Sequence, residues 1–255
     1  MSAIVSLFRR PRRIGGAISQ FTLMLLAGPS LLLALAAGWI GHGWLIGERA
    51  PRAFDGFQQV RVKTIQTQLD QVRGPYIVVM GDSHAERLFL PSLCGLPVVN
   101  AGLSGATLSD ILDLARKITL PRRAQAVLIS AGANDIWVKR GPETAEAESR
   151  FRKGLDALKQ LLAGWSERRA LIAIPPVADK AAASFPRAAA ARYSAMLARS
   201  CEPRGCLYLD LFGAATDIRE PRSPFSDGLH LRDYARFVRE REAEICRGLG
   251  IPAGG

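Results

Sequence analysis

Histidine is the scarcest of the chemistry-bearing residues in this sequence: 255 residues hold three, His42, His84 and His230. Cysteine is nearly as rare, with four. The spacing of Cys201 and Cys206 in CEPRGC is not C-x-x-C and no histidine lies near it, so a zinc site is not expected. No metal and no cofactor is anticipated. The chain also lacks acidic residues relative to basic ones, 23 against 34, for a net charge of +11 and a pI near 10.2. Such a balance often marks a nucleic-acid or membrane partner. Here four arginines, Arg9, Arg10, Arg12 and Arg13, cluster in FRRPRR, and the rest of the charge is dispersed. With no RNA-binding signature and no zinc-finger spacing, a nucleic-acid partner is not expected. No internal repeat is present, and the only biased patch is alanine-rich, at 181–191.

The longest absence is of charge. Ile14 to Gly47 contains no Asp, Glu, Lys or Arg, and its centre, FTLMLLAGPSLLLALAAGWI (21–40), has the ~20 residues a helix needs to cross a bilayer. The preceding arginines predict a cytoplasmic N-terminus and export of the chain beyond the segment. Trp39 and Trp44 fall where interfacial aromatics sit, and Pro29 is tolerated in a spanning helix. A signal peptide cleaved near Ala36 is the alternative. The apolar character continues through GWIGHGWLIG, which favours an uncleaved single-pass anchor in a bacterial inner membrane, with the remainder periplasmic. That compartment suits cysteine pairing. Cys201 and Cys206 could close a small loop, leaving Cys94 with Cys246, although four cysteines allow three connectivities and four reduced thiols are the other option.

Residues 1–47 are thus expected to be a basic stub and anchor, 48–72 a juxtamembrane linker with some helix, and 73–250 a single domain. In that domain short apolar runs, YIVVM (76–80), PVVN (97–100), AVLISA (126–131), ALIAI (170–174) and LYLDL (207–211), alternate with helical stretches at 85–93, 108–118, 145–165, 188–199 and 231–247. Alternation of this kind predicts a three-layer α/β/α fold around a parallel sheet. In such sheets ligands bind beyond the carboxyl ends of the strands. The candidates are therefore GDSH, AGLSG, GAND and the late SDGLH.

Serine hydrolysis needs a base for the hydroxyl, a group that orients the base, and donors for the oxyanion. His42 lies in or beside the apolar segment. His84 is adjacent to Ser83, where side chains diverge, and is read as packing or lining the pocket rim. His230 remains, with Asp227 three residues earlier on one turn. Gly102 offers a backbone N–H without a Cβ, Asn134 a side-chain amide, and Ser83 its own amide. Trp137 either stacks on a sugar or packs. Lys139 and Arg140 are read as a solvated loop, with contact to an anionic substrate the alternative.

The blocks GDS (81–83), Gly102, GxND (132–135) and DxxH (227–230), in that order, resemble those of the SGNH, or GDSL, hydrolase superfamily over residues 74–247. The resemblance implies a flavodoxin-like sheet of order 2-1-3-4-5, with Ser83 as nucleophile, His230 as base and Asp227 as its orienting acid. It implies an oxyanion hole of Ser83, Gly102 and Asn134. It also sets the first and last helices on one face, as a Cys94–Cys246 disulfide requires. The sequence lacks the G-x-S-x-G elbow of α/β-hydrolases. GDSHA with DGLHL is similar to domains that handle acyl groups on bacterial envelope sugars. The expected function is a serine esterase acting on O-acyl groups of an envelope carbohydrate. An O-acyltransferase, a lysophospholipase or lipase, and a catalytically silent envelope protein are the alternatives.

Overall fold

The first apolar run, Ile77–Gly81 (β1), is buried at every position, as a strand covered on both faces must be. In the computed structural model, which describes residues 53–201, 206–215 and 223–252, β1 lies parallel between β3 (Leu96–Gly102) and β4 (Ala126–Ser130). β5 (Arg169–Ile172) and β6 (Leu207–Leu209) extend the sheet beyond β4, also in parallel. Side chains of β1 alternate between two cores. Val78 and Met80 join one and Ile77 and Val79 the other, the period-two division of a strand with helices on both sides. The first core is filled from Ala53–Gln71 (α1), Leu108–Lys117 (α3), Ala145–Ala163 (α4) and Arg187–Ser200 (α6). The second is filled from Ser83–Glu86 (α2), Tyr234–Glu240 (α7) and Glu242–Leu249 (α8), while Asp179–Ala182 (α5) is a single turn between β5 and α6.

The helix expected over 85–93 stops early. The carbonyls of Ala85, Glu86 and Leu88 converge on Asn100 Nδ2, at 2.9, 3.2 and 3.0 Å, a convergence that bends the chain out of the helical path. Pro91 further disfavours helical backbone just ahead of it. The chain instead makes a two-residue strand, Ser92–Leu93 (β2), antiparallel to β3. The hairpin turns on Cys94 and Gly95, both left-handed at φ 55° and 71°, as a two-residue loop of type I′ requires. The sheet order is therefore β2-β3-β1-β4-β5-β6, which differs from the expected five-strand order by this antiparallel edge strand.

Residues 53–71, within the stretch expected to be a linker with some helix, form the helix α1, with Ile65 and Leu69 buried in the first core. The expected stub and transmembrane anchor, 1–47, lie outside the described residues. Among the described residues no helix is long and apolar enough to cross a membrane.

Both cysteine pairs are bonded, Cys94 to Cys246 and Cys201 to Cys206. The first ties the β2–β3 hairpin to α8 across 152 residues of sequence, and Glu242 Oε1 accepts from the Cys94 amide beside it at 2.7 Å. A link over so long a loop restricts the unfolded chain strongly. Replacing Cys94 and Cys246 together by serine should lower the unfolding free energy by about 2–5 kcal/mol, read from urea denaturation. The Cys201–Cys206 pair, closing five residues, should give a smaller loss.

Candidate active site

Gly81 ends β1 at a point where no side chain fits. Its φ is +153°, and a Cβ would stand 1.9 Å from the Ser130 carbonyl oxygen. The next amide, Asp82 N–H, donates to that same oxygen at 3.0 Å, which carries strand pairing one residue further. Asp82 then caps α2, its Oδ1 accepting from His84 N–H at 2.9 Å, while Oδ2 accepts from Ala133 N–H at 3.3 Å in the loop after β4. Burial pushes the Asp82 carboxyl up to about 7, against the pull of those two N–H groups. On the other side Leu103 N–H, just after β3, donates to the Gly81 carbonyl at 2.9 Å, so Ser83 opens α2 at the carboxyl edge of the sheet with the turn before it fastened to both neighbouring strand ends.

The second half of the site is a tight turn. Phe225 bridges Leu231, and Ser226 N–H donates to the His230 carbonyl at 2.8 Å. Gly228 has φ +89°, and Lys180 and Ala181 leave it no space for a Cβ. Asp227 Oδ1 accepts from the amides of Leu229 (3.0 Å) and His230 (2.8 Å), and Oδ2 meets His230 Nδ1 at 2.6 Å. Partial burial raises the Asp227 carboxyl, but the bonds from the His230 amide, the His230 ring and the Leu229 amide outweigh it and hold the group below the ordinary carboxylate range. An ionised carboxylate only accepts, so Nδ1 carries a proton, and in that tautomer Nε2 is an acceptor. Nε2 lies 2.8 Å from Ser83 Oγ. The hydroxyl can pass its proton to an imidazole held in one tautomer, the arrangement that activates a serine.

The expected oxyanion donors are disposed less simply. Asn134 Nδ2 donates to the Ala106 carbonyl at 2.9 Å and keeps its second N–H. Gly102 N–H is already donated to Asn100 Oδ1 at 3.0 Å, and its carbonyl accepts from Arg61 Nε and Nη2 at 2.9 and 2.7 Å. A Cβ on Gly102 would lie 2.1 Å from Glu86 N. That glycine lets α2 approach β3; it does not present a free amide. Gly105, three residues on, is exposed with φ +78°, and its amide has no partner among the described residues. It is the second glycine of AGLSG, a signal present in the sequence but passed over. Among the described residues no group of three His, Cys, Asp or Glu side chains could hold a metal.

Residues 66–234 match the model of the GDSL-like lipase/acylhydrolase family, well over half of the chain. The chain belongs to that family. It is accordingly a hydrolase acting on ester bonds. Solved structures share the fold of this acylhydrolase. One is a protein from Streptococcus pneumonia provisionally named a platelet activating factor, with 20% identity over 83% of this chain and 99% of that one, at a TM-score of 0.60. Another is the lipase/acylhydrolase from Enterococcus faecalis, with 22% identity over 67% and 97%, at 0.51. A third is a catalytic mutant of the acetylxylan esterase Axe2 from Geobacillus stearothermophilus, with 16% identity over 70% and 95%, at 0.51. No curated protein matches the sequence.

Behind Ser83 the acylhydrolase has a feature that reading the sequence missed. His84, expected to pack or to line the pocket rim, is buried at 1% exposure. Its Nδ1 is 2.7 Å from Tyr234 Oη, and its ring centroid is 5.3 Å from that of His230. Tyr234 Oη in turn accepts from the Leu231 amide at 3.2 Å, next to His230. Neither Tyr234 nor Asn100 carries a sequence signal, since each acts through a partner distant in the chain. Trp137, at the other expected rim position, is half-buried, with Lys139 Nζ 5.0 Å and Arg140 Cζ 6.0 Å from its ring centroid.

Burial, followed by the charges of His230 and Arg87, lowers the His84 pKa from 6.5 to about 3, with Asp227 opposing. The unfolded state therefore binds the extra proton first, and stability is lost as pH falls from 6.5 toward about 3. Asp82 acts in the opposite sense: its folded carboxyl keeps a proton that the unfolded one releases near 3.8, so its burial penalty grows as pH rises toward about 7. In His84→Gln the first contribution vanishes. The loss of unfolding free energy between about pH 6.5 and pH 4 should shrink by at least ~1 kcal/mol relative to the parent, measured by urea titration.

Proposed function

We propose that this acylhydrolase is a serine esterase that removes O-acyl groups from a carbohydrate of the cell envelope, using Ser83, His230 and Asp227. The observation that carries the reading is the unbroken chain of contacts from Ser83 Oγ to His230 Nε2 at 2.8 Å and from Nδ1 to Asp227 at 2.6 Å. Ser83 Oγ attacks the ester carbonyl as its proton passes to Nε2. The resulting oxyanion is held by the Ser83 amide and the spare N–H of Asn134, with the Gly105 amide in place of the engaged Gly102. His230 then returns the proton to the departing sugar oxygen, leaving an acyl-Ser83 ester. Water, deprotonated by the same Nε2, attacks that ester, and collapse releases the acid and restores the hydroxyl.

The carbohydrate assignment draws support from neighbours in fold that are named acetylxylan esterases and from the resemblance of GDSHA and DGLHL. Two disulfides with no free cysteine among the described residues suit a domain working outside the cytoplasm. In this reading the uncharged segment 21–40 anchors the chain in the inner membrane.

A fluorophosphonate probe should add one adduct, on Ser83, in the parent protein. Turnover of p-nitrophenyl acetate should fall at least ~10⁴-fold in Ser83→Ala and His230→Ala, and ~10²–10³-fold in Asn134→Ala. Acetate release from an acetylated glycan, lost in Ser83→Ala, would identify the substrate class. A folded parent protein that neither takes the probe nor releases acid from any ester would sink the proposal.

A further inference from the structure

A cavity of about 590 Å³, with Asp135 in its wall one residue after Asn134, is not used by the mechanism. Its volume falls in the range of small-ligand sites. It opens between the start of α3, the first half of α4 and the turn Val138–Arg140. Four cations face it, Lys139 and Arg140 from that turn and Arg150 and Lys153 from α4. None of the four makes an ion pair or a side-chain hydrogen bond among the described residues.

Several acids near the cavity are committed elsewhere. Glu148 pairs with Arg152 at 2.7 Å and with Arg192 at 3.4 Å. Asp113 pairs with Arg116, and Asp110 closes the cap of α3 with Thr107. Asp135 alone faces the cations, and its Oδ2 accepts from the Leu108 amide at 2.9 Å. Four like charges at one concavity repel each other, and no acid pairs with any of them among the described residues. Lys139 and Arg140 are steadied against Trp137 rather than by an acid. A concave surface of one sign focuses the field on an incoming counter-charge.

Two wall residues tie the cavity to the ester site along the chain. Asp135 in its wall follows Asn134, the proposed oxyanion donor, and Thr107 in its wall follows Ala106, whose carbonyl holds the Asn134 side chain.

We infer that this cavity is a subsite for an anionic sugar unit, so that the substrate is an acylated acidic glycan whose carboxylate or phosphate groups are held by Lys139, Arg140, Arg150 and Lys153. The inference rests on the esterase reading for its location, but it can be tested without turnover. The full-length Ser83→Ala protein is titrated calorimetrically with oligogalacturonate, with a phosphorylated mannooligosaccharide and with a neutral xylooligosaccharide of equal length. At least one charged oligosaccharide should bind ~10-fold or more tightly than the neutral one, and the tighter of the two names the anion. The gap should narrow in high salt. Arg150→Glu with Lys153→Glu should abolish the preference. Arg122→Glu with Arg123→Glu, the same charge change on exposed residues before β4, should retain it.

Equal affinity for charged and neutral chains would overturn the inference, as would equal loss in the two double variants, which would reduce the effect to net charge. Its failure is separable from that of the esterase reading. A Ser83 that takes the fluorophosphonate in a protein with no anionic preference removes only the subsite. An anionic preference in a protein whose Ser83 stays unlabelled removes only the esterase.

Discussion

The site depends on two backbones meeting where no side chain can stand. Gly81 and Gly102 are partners in the register of β1 and β3. Each is closed off, Gly81 by the Ser130 carbonyl and Gly102 by the backbone of Ala85 and Glu86. Because α2 rests directly on β3, Ser83 is held at the sheet edge by main chain rather than by adaptable side chains. Asn100 secures the contact from below. Its amide nitrogen meets the carbonyls of Ala85 and Glu86 at the end of α2 and of Leu88 just after it, and its oxygen accepts from Gly102 N–H. Arg61 reaches the Gly102 carbonyl from α1, so a helix outside the expected domain boundary takes part in fixing the strand end.

A second economy lies in the electrostatics. Asp227 is satisfied by two amides from its own turn before it meets the His230 ring, and it therefore stays ionised and fixes the tautomer. Asp82 and His84 flank Ser83 and are buried, and burial opposes charge on both. A neutral His84 beside His230 adds no positive charge to compete with the proton that Nε2 receives in the proposed mechanism. The titratable groups around Ser83 are thus divided between Asp227, held charged, and the pair Asp82 and His84, on which burial opposes charge.

Much of the α/β framework could be read along the chain. Continuous apolar runs became the parallel strands, and the spacing of Phe151, Leu155, Leu158 and Leu162 became the buried face of α4. The misreadings arose where a residue's role is set from a distance. Leu88 to Leu93 looked helical because nothing nearby in the sequence reveals that Asn100 will take the α2 carbonyls. The stretch 53–71 was expected to carry some helix, but its place in the core was hidden because its polar residues outnumber the two apolar ones, Ile65 and Leu69, that it buries. Gly102 looked like an open amide because glycine permits both close packing and a free N–H, and only the position of Glu86 decides between them.

By itself the sequence determined the alternation of buried strands and helices, the turn chemistry of GDS, and the Asp227–His230 pair, because each depends on neighbours within a few residues. Scarcity of histidine narrowed the partner of Ser83 to a single residue 147 positions away. Tertiary structure alone decided the distance between them, the burial of His84 against Tyr234, the engagement of Gly102 and the gathering of four cations at one cavity. Those are contacts between segments remote in the chain, and a hydrogen-bonding group takes whichever partner the packing of the whole chain brings within about 3 Å.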